Sequence, residues 1–288
     1  MVKQNLKSIY LKVKDFSVSG ENFELIQNPE FGFLETTPQP NSDKLQEYYQ
    51  SEDYISHTNS KRNFFEKAYH VIRDYALQKK LRLINSFSTE TKTLLDVGCG
   101  TGDFLNTAQK NDWIVSGIEP NILARNLANE KTNNAVFDVS KLSEFNPASF
   151  DVITLWHVLE HLPNLESQLE VFKKLLKPNG VLVIAVPNYK SFDADYYKEF
   201  WAAFDVPRHL WHFDKRSISK LISKFSMEVI KIKPMWFDAF YVSMLSEKYK
   251  TGTMNIFKGF CIGLYSNIKS LQSKEASSLI YIVKNTKN

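Results

Sequence analysis

Cysteine is nearly absent from this chain: 288 residues contain two, Cys99 and Cys261. Two distant thiols make no disulfide framework, and no cluster of cysteines has zinc-site spacing. Long apolar runs are also missing. The longest purely apolar stretch, residues 181–186, has the length of a buried strand and is far too short to span a bilayer. The first residues, Met1-Val-Lys-Gln-Asn-Leu-Lys, lack the apolar segment of a signal peptide. There is no block of one charge. The 36 basic and 32 acidic residues leave a net charge of +4, and the lysines are scattered, so no nucleic-acid footprint is expected. Repeats and low-complexity tracts do not occur. These absences predict a soluble cytoplasmic protein with no transmembrane segment and no nucleic-acid partner; they leave oligomeric state open. What the chain does have is a 43% hydrophobic fraction, enough for one large domain with appendages.

The most informative segment is Leu94-Leu-Asp-Val-Gly-Cys-Gly-Thr-Gly-Asp103. An apolar run with an acidic end meets glycines at alternate positions, Gly98, Gly100 and Gly102, and a helix-compatible stretch follows. This reads as a strand, a turn whose backbone approaches a ligand, and a helix start. Glu119 closes the next apolar stretch, where a carboxylate can grip a ribose. A dinucleotide site wants G-x-G-x-x-G around a pyrophosphate. Here the spacing is G-x-G-x-G, and Asp96 precedes it, a carboxylate that repels a pyrophosphate and suits a cationic ligand. The surrounding pattern alternates. Strands are predicted at 93–97, 113–118, 135–137, 150–155 and 181–186, with helices at 61–86, 103–110, 121–129 and 165–176 and a turn at 178–180. The expected fold is α/β, with a doubly wound, mostly parallel sheet covered on both faces. Ligands of such sheets sit at the carboxyl ends of the strands.

The glycine loop resembles that of the class I S-adenosylmethionine-dependent methyltransferases. The stretches Phe150-Asp-Val-Ile-Thr-Leu-Trp-His-Val-Leu-Glu-His161 and Leu175-Leu-Lys-Pro-Asn-Gly-Val-Leu-Val-Ile184 resemble their fourth-strand motif and fifth-strand turn. The resemblance covers 90–233 and is closest to small-molecule enzymes of the quinone O-methyltransferase and sugar methyltransferase types. It implies a seven-stranded sheet ending in a reversal, with 227–233 and 278–284 as the last strands. It also implies S-adenosylmethionine as cofactor, held by Asp96, Gly98, Cys99, Gly100, Thr101, Gly102, Glu119, Pro120, Asp138, Trp156 and His157. Asp138 either accepts from the adenine amino group or caps the next turn. The implied reaction is O- or C-methylation of a small molecule, a sugar nucleotide or an aromatic acceptor. A non-catalytic adenosyl-binding module and a nicotinamide-dependent oxidoreductase are the alternatives; the glycine spacing and Asp96 count against the second.

Residues 1–60 form an N-terminal appendage that resembles a small zinc ribbon of some relatives, with cysteines missing near Asn28 and Phe31; residues 61–288 form the methyltransferase domain. His157-Val-Leu-Glu160-His161 has the spacing of a zinc pattern but follows a strand, and relatives carry an acidic version linked to a divalent cation. The expectation is that this turn lines the cofactor and that neither it nor the appendage binds metal. A hydroxyl or carbon acceptor needs its proton removed, for which the candidates are His161, His157, His209 and His212. Two insertions, 187–213 and 234–277, leave the sheet on its ligand side. The first packs Trp201, Arg208, His209, Trp211 and His212 into twelve residues; Arg208 either pairs with Asp205 or faces substrate. With Tyr54 and His57 from the appendage, these are the candidate substrate contacts. The second insertion is apolar and helix-prone, as a lid would be.

Overall fold

Apolar side chains at consecutive positions require a strand buried on both faces, and the central strands have that composition. The computed structural model describes residues 8–41, 48 and 64–286, with backbone alone for 64–70. The chain opens with β1 (Ile9–Lys14), β2 (Asn22–Gln27) and β3 (Leu34–Thr37), and helix α1 (Phe64–Asn85) follows. Strands and helices then alternate: β4 (Thr93–Val97), α2 (Asp103–Gln109), β5 (Ile114–Ile118), α3 (Ile122–Thr132), β6 (Val136–Phe137), β7 (Phe150–Trp156), α4 (Leu165–Leu175) and β8 (Leu176–Pro187). The last part holds α5 (Phe192–Tyr197), β9 (Trp211–His212), α6 (Lys215–Lys224), β10 (Met227–Pro234), α7 (Asp238–Thr251), α8 (Ile256–Ser273) and β11 (Ser278–Asn285).

Seven strands form one sheet in the order β10-β11-β8-β7-β4-β5-β6. Its members from β8 to β6 are parallel, and β11 runs antiparallel to both β8 and β10, the expected reversal. Successive side chains alternate faces. Leu94, Val152 and Val183 meet Leu81 and Ile84 of α1 and Phe104, Leu105 and Ala108 of α2. Leu95, Ile153 and Ile184 meet Leu165, Leu169 and Phe172 of α4 and Ile218, Leu221 and Ile222 of α6. Each large side chain taken from water in this way contributes about 1.5–3 kcal/mol. The expected turn at 178–180 lies inside β8 instead. Phe150 pairs with Leu176 and Val152 with Val181, so Pro178-Asn179-Gly180 bulges out of register within a longer strand. Helix α6 is an element the periodicity analysis missed, although Asp214 and Ser217 form a capping box at its start.

The N-terminal strands do not stand alone. They form a second sheet, β1-β2-β3-β9, whose last strand comes from the 187–213 insertion. One core serves both: Val13, Phe23, Leu25 and Leu34 pack with Tyr197, Trp201, Phe204 and Val206. Asn28, where the zinc-ribbon resemblance expects a cysteine nearby, closes its turn by accepting from the amides of Glu30 (2.9 Å) and Phe31 (2.7 Å). Asp15 does the same for the β1–β2 turn, accepting from the amides of Ser17 (3.0 Å) and Ser19 (2.8 Å). Short polar side chains thus hold both turns.

Candidate functional site

The strand order reverses at β4, whose neighbours are β5 and β7, so a crevice lies over their carboxyl ends. From Val97 the chain turns through Gly98, Gly100 and Gly102, with φ of +68°, +56° and +75°. A Cβ at Gly98 would press on Val158 Cγ2 at 2.5 Å, whereas one at Gly100 would meet nothing within 4 Å. Packing therefore requires the first glycine, and the second faces open space. Glu119, at the end of β5, accepts from the Gly100 amide at Oε2 and from the Asn121 amide at Oε1, both at 2.9 Å. Burial pushes its carboxyl up, against the pull of those two amides. Asp96 is buried on β4 and accepts from the Thr154 hydroxyl of β7 at 2.6 Å. Burial raises its pKa to about 7, opposed by the Thr154 bond and the charge of Lys80. Burial, Asp96 and Glu119 together hold the Cys99 thiol far above its ordinary range, which makes it unreactive. Thr101 donates to Asp103 at 2.9 Å, and the Pro120 carbonyl accepts from Arg125 at 3.0 Å. Asp138 caps the short helix that follows it, so the capping role is realised.

At the end of β7, His157 has φ +58°, a conformation uncommon for a side chain with a Cβ. Its Nε2 lies 2.9 Å from Asp238, the first residue of α7, and its Nδ1 lies 3.4 Å from Glu160. Burial alone would lower the imidazole pKa; Asp238 and Glu160 outweigh it and raise the value to about 10. A ring so placed between two carboxylates favours the imidazolium, a form that cannot act as a base. Glu160 is buried, and neither carboxylate oxygen accepts a hydrogen bond from a described residue. The H-x-x-E-H residues do not gather together: Glu160, His161 and His209 each offer a ligand atom within 4.8 Å of the others, while His157 turns to Asp238. His161 Nδ1 lies 3.0 Å from the Arg208 carbonyl, which only accepts, so Nδ1 carries a ring proton. The His209 ring meets His161 edge-on at 4.5 Å. Two residues went unnoticed in the sequence. Asp238 is one, and Lys80 of α1 is the other, its Nζ 4.5 Å from the Trp156 ring centroid. Burial pulls the Lys80 ammonium pKa down while Asp96 and Asp238 pull it up. Neither residue has a local signal, because each acts across the fold.

The 201–212 segment departs from its expected role. Arg208 is buried and donates to Asp15 (2.9 Å), to Asp205 (2.7 Å) and to the Tyr48 carbonyl (3.0 Å). The salt-bridge alternative is the one realised, and Arg208 ties the appendage to the insertion. Trp201 donates to Asp193 at 2.8 Å and Trp211 to the Leu162 carbonyl at 2.8 Å. His209 Nδ1 donates to the Ala203 carbonyl at 2.9 Å. Thr36 spends its hydroxyl proton on the His209 carbonyl at 2.6 Å, so it accepts from His212 Nε2 at 2.9 Å. Burial drives the His209 pKa well below normal and that of His212 down to about 3. His212 is thus a neutral donor inside the second sheet rather than a base. The cavity beside Trp201, Asp205 and Arg208 measures about 10 Å³, room for roughly one water and not for a sugar nucleotide. Tyr54 and His57 lie outside the described residues. Insertion 234–277 reaches the site through Asp238; Val242 and Ile262 pack on the core of the second sheet, but Phe257, Leu264, Ile268 and Leu271 of α8 are exposed, because the α8 face turned to α7 is made of small residues.

Comparison with known proteins bears on the fold and family. The ubiquinone biosynthesis O-methyltransferase of Histophilus somni is 34% identical over 114 residues, covering 36% of this chain and 48% of that protein. The protein of the same name from Rhodopseudomonas palustris is 33% identical over 129 residues, covering 42% and 51%. The chain spans about half the length of these curated relatives. A solved S-adenosylmethionine-dependent methyltransferase of Thermotoga maritima, described as a possible histamine N-methyltransferase, superposes with a TM-score of 0.54 at 15% identity over 83% of this chain and 99% of that one, a likeness of fold. A family model described as a methyltransferase domain matches residues 68–232, from within α1 to β10. Because that match takes in more than half of the chain, the protein belongs to this family of methyltransferase domains.

Proposed function

We propose that this protein transfers a methyl group from S-adenosylmethionine to a hydroxyl of a small molecule. The observation that carries the reading is Glu119. Two backbone amides orient its carboxylate beside the open side of Gly100, where its remaining lone pairs suit the vicinal hydroxyls of a ribose. The loop from Gly98 to Gly102 cradles the ligand, Pro120 and the exposed side of Asp138 flank the adenine end, and Trp156 and His157 floor the site. Asp96 suits a sulfonium and an ammonium, and Lys80 stands nearby for a carboxylate.

When bound, the sulfonium supplies an activated methyl and a leaving group. The chain adds alignment, exclusion of water and a place for the acceptor's proton. His161 takes that proton, its ring held through Nδ1 by the Arg208 carbonyl. His209, buried and neutral, holds the edge of the His161 ring. His157 keeps its own proton and anchors α7 to the site through Asp238. The relatives' name supports oxygen as the acceptor atom, and an aromatic hydroxyl fits better than a sugar nucleotide now that Arg208 is internal. Calorimetry with S-adenosylmethionine, S-adenosylhomocysteine and NAD tests the binding half; micromolar affinity for the first two and none for NAD is expected. Transfer of a labelled methyl to phenolic acceptors tests the rest. Binding of NAD alone would overturn the reading.

A further inference from the structure

Helix α8 is amphipathic in the opposite sense to a helix that packs on protein by its apolar side. Its buried positions include Gly259, Gly263, Ser266 and Ser270. Its exposed positions are large and apolar: Phe257 (80% exposed), Phe260 (49%), Leu264 (43%), Ile268 (53%) and Leu271 (60%). The 3.6-residue period sets these five in one stripe along the helix. The small side lets α8 lie hard against α7. A Cβ at Gly259 would meet Met244 at 2.6 Å, and one at Gly263 would meet the Ala239 carbonyl at 2.7 Å. Small residues inside and large ones outside satisfy close packing with α7, with Phe240 of α7 stacked on Phe260 at 4.9 Å, and among the described residues the rest of the stripe stays exposed. A contiguous exposed stripe of this kind marks an interaction surface.

Charge selects the occupant. From residue 247 to 275 the chain carries five lysines (Lys248, Lys250, Lys258, Lys269 and Lys274) against two acids, the buried Glu247, which pairs with Lys258 at 3.1 Å, and Glu275, which pairs with Lys215 at 2.8 Å, so the stretch keeps an excess of positive charge. Lys269 sits over the Tyr265 ring at 5.4 Å, and Tyr265 itself is 44% exposed beside the stripe. A second copy docked on this face would set lysines against lysines, which opposes self-association. An apolar stripe edged by lysine and tyrosine matches the boundary between acyl chains and anionic headgroups. Among the described residues no helix is long and apolar enough to cross a membrane, so α8 would lie flat. The surface continues toward the site. Asn267 of α8 donates to the Trp236 carbonyl at 2.8 Å, and next along the chain Phe237 meets Tyr75 edge-on at 5.5 Å, both rings exposed. Asp238, the partner of His157, follows directly.

We infer that α8 seats this protein on an anionic lipid surface, stripe inward, with the α7 start and the crevice rim held near the headgroups. The inference is independent of the methyl-transfer reading. Flotation of the full chain with vesicles of phosphatidylcholine, alone and with phosphatidylglycerol added, tests it. At least about tenfold more protein should float with the anionic vesicles. A polarity-sensitive dye on Cys261, an exposed thiol on the same helix, should shift to the blue with those vesicles only. The double variant Phe257→Ser, Leu264→Ser should lose about tenfold or more of the binding with unchanged melting and unchanged S-adenosylhomocysteine affinity. Lys269→Glu with Lys274→Glu should abolish the preference for phosphatidylglycerol. No flotation with either vesicle, or equal flotation of the Ser variant, would refute the proposal. A dimer in solution that the Ser variant dissolves would assign the stripe to a second copy and refute it equally.

Discussion

The glycine loop and the 201–212 segment are both dense in polar groups, and they use them in opposite ways. Around the loop, Glu119 and Asp96 are anchored by short bonds, yet the side of Gly100 opens on space. In 201–212 the polar side chains end on the fold itself. Trp201 ends on Asp193, Arg208 on Asp15 and Asp205, His209 on the Ala203 carbonyl, Trp211 on the Leu162 carbonyl and His212 on Thr36. Residue type does not separate a site from a core. The destination of each hydrogen bond does, because a buried polar group must find a partner and a ligand-binding group must keep some capacity in reserve.

The sharpest way to break that comparison is Arg208→Ala. If the arginine is internal, its loss leaves Asp15 and Asp205 without their counter-charge, at about 3–5 kcal/mol and on the order of ten degrees in melting temperature. Unchanged melting with abolished turnover would return Arg208 to the substrate. Glu119→Ala probes the other region and should do the reverse. S-adenosylhomocysteine affinity should fall by about 2–4 kcal/mol, read by calorimetry, while melting moves little.

Acid should find the second region before the first. His212 has a folded pKa near 3, below its unfolded value, so the unfolded chain binds the extra proton between about pH 6.5 and 3. Stability contributed by keeping this ring neutral is present above that window and is lost as pH falls through it, by about 1.4 kcal/mol per pH unit. Urea unfolding at pH 7, 6 and 5 should show the slope, and His212→Asn, which retains a donor for Thr36, should reduce it by that amount, leaving the share contributed by the buried His209. The smallest effect concerns metal. Glu160, His161 and His209 form a plausible donor set, but the imidazolium of His157 already stands beside Glu160 and disfavours a second cation. Chelation should leave methyl transfer unchanged and elemental analysis should find no stoichiometric metal. Activity lost to a chelator and restored by magnesium would mean that the trio is a metal centre.

Much of the sheet was legible because its signals are local. Residues 93–97 read as a strand from their apolar run and are β4. The G-x-G-x-G spacing dictates positive φ, and Glu119 follows from its place at the end of the next strand. Helix α6 has a readable cap and an Ile218/Leu221/Ile222 stripe, so its signal is local as well. By contrast, β9 pairs with β3 across more than 170 residues, and no local pattern announces that. The same holds for Asp238 on His157 and for Lys80 beside Trp156. The outward stripe of α8 was visible as apolar residues in a helix-prone segment; its direction was not.

Periodicity, glycine spacing and strand-end acids, each a property of a few neighbouring residues, determined the class of fold and the region proposed to meet the cofactor. Tertiary structure decided which histidines hold protons, that Arg208 clamps two sheets, and which way α8 faces. These depend on burial and on partners far away in sequence, and a side chain's pKa and hydrogen bonds are set by what surrounds it in space.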